Sequence, residues 1–158
     1  MWALDILAEY GFLYDSSVFP IQGSRYGMGD FPRGVTRVKT GEAEIIEAPL
    51  STVAWLGKNW PAAGGGYFRP APYSLIRSAV RRVNREGLPF IVYCHPYEFS
   101  REKMDFGQFS PPLAAGAARR LDLRFNLFRR GVRGKMERLL ADFRFAPIKT
   151  ALKDAFHE

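Results

Sequence analysis

The residues best suited to chemistry fall in three places along the chain. His95 ends a short apolar run, Pro89 to Cys94, and Pro96 follows it at once. Proline lacks a backbone N–H and cannot extend a sheet ladder, so the imidazole stands at the C-terminal end of a predicted strand. In α/β barrels and open α/β sheets, catalytic side chains gather at that end. Imidazole is also the side chain best suited to proton transfer near neutral pH. On position alone, a histidine held by structural hydrogen bonds is an equal alternative. Glu98, three residues on, could orient a partner, but solvent exposure is the expectation for it. The second place is Gly64-Gly65-Gly66, with Arg69 just beyond. Glycines let a backbone approach a ligand closely and present open N–H groups, or they make a flexible turn. The third is Asp15-Ser16-Ser17, which could face a ligand or cap a turn by local hydrogen bonding.

Several chemistries are excluded by residue type. Cys94 is the only cysteine, so the chain holds no internal disulfide and no cysteine metal cluster, which favours a reducing compartment. His157 is the only histidine besides His95, so no His-x-x-x-His pair exists and no metal ligands are expected within the chain. The glycine run lacks the Lys-Ser/Thr ending of a phosphate-binding loop. No Gly-x-Ser-x-Gly elbow is present either.

The elements that must position these residues can be read from periodicity. Trp2 to Tyr10 reads as a helix with Trp2, Ile6 and Leu7 on one face, stopped by Gly11. Without a cap before it, the helix hints that further chain preceded it. Phe12 to Val18 resembles a strand, Phe19 to Gly41 a long loop, Glu44 to Val53 an extended segment, and Gly57 to Pro70 a second irregular stretch. Pro72 suits a first helical position, and Leu75, Ile76, Ala79, Val80 and Val83 share a helix face that Gly87 terminates. Pro89 to Cys94 reads as a strand buried on both faces. A loop from Ser100 to Pro112 then leads into a basic helical region where Val132, Met136, Leu139, Leu140 and Phe143 keep helical spacing, and Ala146 to Phe156 predicts a short terminal helix.

With 158 residues, 47% of them hydrophobic and 15% aromatic, the chain can bury one core. Its apolar runs are far shorter than the ~20 residues of a membrane-spanning helix, and no secretion signal is visible, so a cytoplasmic location is the expectation. The net charge of +7 is uneven: residues 1–79 hold 7 Lys/Arg and 7 Asp/Glu, residues 80–158 hold 16 and 9. The dense part, Arg119 to Arg144, suits an anionic polymer, nucleic acid or lipid headgroups, or simply a solvated helix face.

Six short motifs in order carry a family resemblance: Trp2-Ala3-Leu4; Tyr14-Asp15-Ser16-Ser17-Val18-Phe19-Pro20-Ile21; Arg25-Tyr26-Gly27; Pro49-Leu50-Ser51-Thr52; Gly64-Gly65-Gly66-Tyr67-Phe68-Arg69; and Tyr93-Cys94-His95-Pro96-Tyr97-Glu98. Together they resemble the NodB-homology polysaccharide deacetylases, in the branch found with exosortase/PEP-CTERM exopolysaccharide loci. The likeness runs through Asp142-Phe143-Arg144-Phe145. It implies an α/β fold, the C-terminal half of an irregular seven-stranded (β/α) barrel, incomplete here, with 1–158 as part of a single domain and a basic helical extension from about 113 to 158. It also implies hydrolysis of N- or O-acetyl groups on a polysaccharide with a divalent metal, commonly zinc. The family's general base and metal ligands lie before the point where this chain starts, so no metal is expected to bind this chain alone. The late histidine motif maps onto His95 as general acid. Asp15, Gly65, Gly66, Tyr67, Arg69 and Tyr97 become substrate-facing positions. Tyr97 stands where the branch usually has tryptophan, and Gln22-Gly23-Ser24 replaces a more polar stretch.

The resemblance therefore implies a deacetylase fragment whose partners are a polysaccharide and a missing N-terminal half, inactive by itself. The alternatives are a non-catalytic module that holds an anionic polysaccharide or another anionic polymer, with nucleic acid less expected, and a complementation subunit for a separately encoded half.

Overall fold

The computed structural model describes residues 2–23, 27–41, 43–108 and 114–153. Arg25-Tyr26, Ser24, Pro111-Pro112, His157 and the end of the predicted terminal helix lie outside these residues. Helix α1 (Trp2–Glu9) leads to a two-residue strand β1 (Tyr14–Asp15). Strands β2 (Thr36–Thr40) and β3 (Ala43–Glu47) follow, then β4 (Thr52–Trp55) and β5 (Lys58–Pro61). Next come a single helical turn, α2 (Gly65–Phe68), and α3 (Tyr73–Arg85). The remaining helices are α4 (Ala115–Asn126), α5 (Val132–Asp142) and α6 (Ile148–Ala151), with 3₁₀ turns at Pro96–Glu98, Phe106–Gln108 and Arg129–Gly131.

The architecture is mixed α/β with two small sheets. One has the order β1-β3-β2, with β1 parallel and β2 antiparallel to β3; the other is the β4-β5 hairpin. No closed barrel is formed by the described strands. The parallel pairing continues irregularly past the ladder. Ala48 N–H donates to Asp15 O at 2.9 Å and Leu50 N–H to Val18 O at 2.9 Å. Ser51 then receives the 89–94 segment, whose Ile91 N–H donates to Ser51 Oγ at 2.7 Å, and Tyr93 N–H donates to Ala63 O at 2.9 Å. Gly64 and Tyr93 form an isolated parallel bridge. Segments 14–18, 46–51, 63–64 and 91–93 thus lie alongside one another, and Ser17, Leu50, Gly65 and His95, near or just past their ends, meet at one edge.

The 89–94 segment corrects the expectation of a fully buried strand. It is extended but held by only these few bonds, and its side chains are half-buried, with Tyr93 exposed. Pro89 removes one donor, and the partner chains on either side are themselves irregular, so no ladder closes around it. Other boundaries moved for comparable reasons. The Phe12–Val18 strand shrinks to Tyr14–Asp15, and the Phe19–Gly41 loop ends in β2. Glu44–Val53 divides into β3 and β4, and Gly57–Pro70 contains β5 and α2. The β4-β5 turn carries no customary sequence signal, because Leu56 (φ 51) stands at the first left-handed position with Gly57 (φ 71) at the second. Such two-residue turns are normally signalled by Asn or Asp before Gly.

Helix α3 forms as its spacing dictates. Pro72 is the N-cap, one residue before the helix, and Gly87 ends it at φ 78. Tyr73, Ile76, Val80 and Val83 are buried, while Leu75 is exposed. Its apolar face packs with Phe68, Val132 and Leu139 into the largest cluster, so α5 covers the outside of α3. In α1 the buried face is Leu4 and Ala8, which meet Val38 and Ile45, with Leu7 partly buried. Trp2 and Ile6, expected on that face, are exposed together with Tyr10, Phe12 and Leu13. The small Ala8 lets the helix lie close to the sheet, and the bulkier stripe faces away.

Adjacent leucines of α5 separate burial from propensity. Leu139 is fully buried and Leu140 is 55% exposed. Leu139→Ala is expected to lower unfolding free energy by about 2–5 kcal/mol, and Leu140→Ala by less than about 0.5 kcal/mol. Urea denaturation of the two variants checks this.

Candidate functional site

At the edge where the irregular parallel segments end, a groove of about 670 Å³ opens. Its walls include Ser16, Ser17, Gly64–Tyr67, Arg69, Tyr93, His95 and Tyr97, with Arg124 and Phe125 of α4. Residues singled out one by one in the sequence, from segments some 80 positions apart, therefore share one cavity.

His95 presents its ring in an aromatic slot. Tyr97 stacks on it at 5.4 Å between centroids and 25° between planes, and Tyr93 meets it edge-on at 4.8 Å and 74°. The Tyr93 hydroxyl lies 3.1 Å from Nε2 and 3.3 Å from Nδ1. The ring is exposed, so it can exchange a proton with a bound molecule. Tyr93 was not among the expected site residues. The signal was the alternation Tyr93-x-His95, because every second residue of an extended chain points the same way, whereas Tyr97 comes alongside through the 3₁₀ turn at Pro96–Glu98. Burial raises the Tyr97 phenol above its ordinary pKa, so it stays neutral beside the imidazole. Cys94, next in sequence, is pushed up to about 11 by burial and by Glu98, so it remains a thiol rather than a nucleophilic thiolate at neutral pH.

What fixes His95 is Glu98, and here the expectation of solvent exposure is overturned: Glu98 is 1% exposed. The 3₁₀ turn that starts at Pro96 swings its carboxylate back under the histidine, where Oε2 accepts the His95 backbone N–H at 2.9 Å. Oε1 lies 3.2 Å from Arg69 Nε, an ion pair in contact but not aligned as a hydrogen bond. The carboxylate rests directly on the Gly65 Cα, so a Cβ at that position would collide with it. Gly65 is therefore required by its neighbour across the turn. Gly66 has open space where a Cβ would stand, and its placement in the groove wall leaves it free to face a ligand.

Arg69 has a comparable double placement. It borders the groove, yet its guanidinium is also held by Glu98 and donates through Nη1 to the carbonyls of Arg124 (3.1 Å) and Phe125 (2.9 Å). Two other cations complete the attachment of the C-terminal helices. Lys135 Nζ donates to Phe68 O at 3.2 Å and Arg69 O at 2.6 Å. Arg129, 4% exposed, donates to Tyr97 O at 3.0 Å and to Glu102 O. Part of the basic stretch is thus internal scaffolding.

Asp15 sits one step behind the groove. Its Oδ2 accepts the N–H (3.2 Å) and the hydroxyl of Ser17, which does line the cavity. Its register neighbour across the parallel pair is Glu47, fully buried and unforeseen in the sequence. Glu47 Oε1 accepts Val18 N–H at 2.9 Å, and Oε2 makes no aligned hydrogen bond. Burial, reinforced by the Asp15 carboxylate, raises its pKa from 4.5 to about 7. Alternation placed Glu47 at a core-facing position of β3, but a carboxylate there contradicts the usual surface rule.

Among the described residues there is no group of three His, Cys, Asp or Glu side chains that could hold a metal ion. His95 has only tyrosines around its ring, so the site as built does not fit a metal.

Three substitutions test this geometry. Gly65→Ala is expected to cost roughly 1–3 kcal/mol by overpacking against Glu98, while Gly66→Ala changes stability by less than about 0.5 kcal/mol; urea midpoints decide. For Glu47 the unfolded carboxyl ionises near 4.5 and the folded one near 7. Between those values the folded state binds more protons, so stability falls as pH rises through that window. Glu47→Gln should remove this slope and be more stable than the parent at pH ~8 by roughly 1–3 kcal/mol, read from melting temperature against pH.

No curated protein and no solved structure matches this chain. A protein family described as a domain of unknown function (DUF3473) matches residues 16–153, most of the length and all of the groove-forming segments except α1. The chain belongs to the DUF3473 family.

Proposed function

We propose that the chain is the C-terminal part of a polysaccharide deacetylase and that His95 is its proton donor. The observation that carries this reading is the convergence of His95, Tyr97, Gly65, Gly66, Tyr67 and Arg69 at the ends of parallel segments. An amine leaving group departs poorly until it is protonated, so amide cleavage gains from an imidazole held at the rim of the substrate groove. Glu98 holds the backbone of that imidazole in place, and Tyr93 and Tyr97 flank its ring.

The groove also suits a sugar polymer. A second depression of about 500 Å³ adjoins it through Tyr67 and Arg124, and adds Gln22, Asn59 and the half-exposed Trp60. Flat aromatic faces beside amide side chains match the alternating C–H faces and hydroxyl rims of sugars.

The divalent metal of the full enzyme, commonly zinc in such deacetylases, has no ligand set among the described residues. In this reading it is held by another half of the barrel. Two exposed features fit that arrangement. β1 is the edge of its sheet, and Trp2, Ile6, Tyr10, Phe12 and Leu13 form an apolar stretch beside it. An open edge and an apolar face of this kind call for a covering partner.

The test is co-expression with a polypeptide supplying the aspartate and His-x-x-x-His half of such a barrel, followed by zinc analysis and acetate release from an acetylated polysaccharide. The complemented protein is expected to release acetate. His95→Ala should lower kcat by about 10²–10⁴-fold at unchanged zinc content. Full activity of His95→Ala, or zinc binding and acetate release by the isolated chain, would overturn the reading.

A further inference from the structure

Beyond the groove, the chain turns a corner between α4 and α5 just before the buried Arg129. Phe128 holds a left-handed backbone, φ 57 and ψ 8, and is 58% exposed. A bulky aromatic is disfavoured there, and glycine or asparagine would relieve the strain. Such strain, when kept, points to a use for the side chain it presents. Leu127, 48% exposed, precedes it in the chain, and Leu123, 66% exposed, lies one helical turn earlier, its carbonyl accepting the Leu127 N–H. Arg120, Leu123, Arg124 and Leu127 follow helical spacing along one exposed stripe of α4 that runs towards Phe128.

Next to Phe128 lies a crevice of about 440 Å³, floored by Pro70, Ala71 and Pro72. No Asp or Glu lines it. Of its cations, Arg69, Arg129 and Lys135 are committed to internal partners. Arg101, Lys103 and Arg130 are exposed and, among the described residues, take part in no hydrogen bond or ion pair. Some other arginines do meet carboxylates, as in Arg133–Glu137, Arg77–Asp142 and Arg37–Glu44.

We propose that this corner is a docking surface for an anionic lipid bilayer, with Leu123, Leu127 and Phe128 entering the boundary between headgroups and acyl chains while Arg101, Lys103 and Arg130 meet lipid phosphates. Exposed aliphatic side chains distinguish lipid from the other polyanions. Nucleic acid is held by phosphate contacts together with aromatic rings that stack on bases, and leucine offers no stacking face. Interfacial helices, by contrast, combine Leu and Phe with a basic rim. The surface peripheral to the corner spans no membrane, and no described helix is long and apolar enough to do so.

The test uses the 158-residue chain and vesicle co-sedimentation at physiological ionic strength. Vesicles of phosphatidylcholine alone are compared with vesicles containing about a third phosphatidylglycerol, a proportion that gives a strongly anionic surface. Binding is expected only to the anionic vesicles. Replacing Arg101, Lys103 and Arg130 together by Gln should weaken it about 100-fold. Leu127→Ser with Phe128→Asn should weaken it about 10-fold or more through lost apolar burial, yet leave the melting temperature unchanged or higher, because Asn tolerates the left-handed backbone. A merely structural Phe128 would instead lower the melting temperature. The proposal fails if anionic vesicles are not bound, or if the Leu127/Phe128 variant binds them as the parent does. It also fails if a duplex oligonucleotide outcompetes the vesicles with the same residue dependence.

Discussion

A carboxylate with no access to water, Glu98, joins the parts of this molecule that matter. It accepts the backbone N–H of His95, lies against Arg69, and fills the space that a side chain on Gly65 would need. A buried charge is costly unless paired and hydrogen-bonded, and removing one partner leaves the other stranded. The Gly64–Arg69 turn and the His95 turn are therefore not independent loops that happen to meet. Glu98 supplies the acceptor for the His95 N–H and the counter-charge for Arg69, so the two turns are tied through one buried carboxylate.

The same logic extends outward to the C-terminal helices. Carbonyl groups at the ends of short or irregular segments have no ladder partner, and here cations collect them: Arg69 at the end of α4, Lys135 at the end of α2, Arg129 at Tyr97 and Glu102. Hydrogen bonds from charged donors are stronger than those between neutral groups. A fold with little regular sheet can be held this way, with long basic side chains taking the place of strand-to-strand bonds. It also means that α4 is part of the site's wall and not an appendage, since Arg124 and Phe125 line the groove. The corner at Phe128 lies outside these internal duties, and what sets it apart is a crevice lined by Arg101, Lys103 and Arg130 without an acidic side chain.

How much of this was legible varies with the range of the interaction. Helix α3 was readable to within a residue, because its face, its proline cap and its glycine stop are all local signals. The β4-β5 turn was not, because Leu56 occupies a backbone region that its type does not advertise. The burial of α1 was misassigned because Trp2 and Ile6 outweigh Leu4 and Ala8 in hydrophobicity, while close approach to the sheet selects the smaller residues. Glu98 and Glu47 were illegible in principle. A glutamate reads as exposed until its partners are known, and the Asp15–Glu47 register and the Glu98–Arg69 contact join residues about 30 apart in the chain.

By itself the amino-acid order determined the element types with local codes, the placement of His95 at the end of an extended segment ahead of Pro96, and the gathering of positive charge in the second half. It also carried the motif order that resembles a known family. Only the tertiary structure decided that residues of these motifs line one groove, that Gly65 serves Glu98, that Arg69, Arg129 and Lys135 are internal braces, and that Arg101, Lys103 and Arg130 have no partner among the described residues. The division has a physical cause. Propensity, capping and chain reversal depend on neighbours within a few positions, whereas the cost of burying a charge depends on which distant group arrives to meet it.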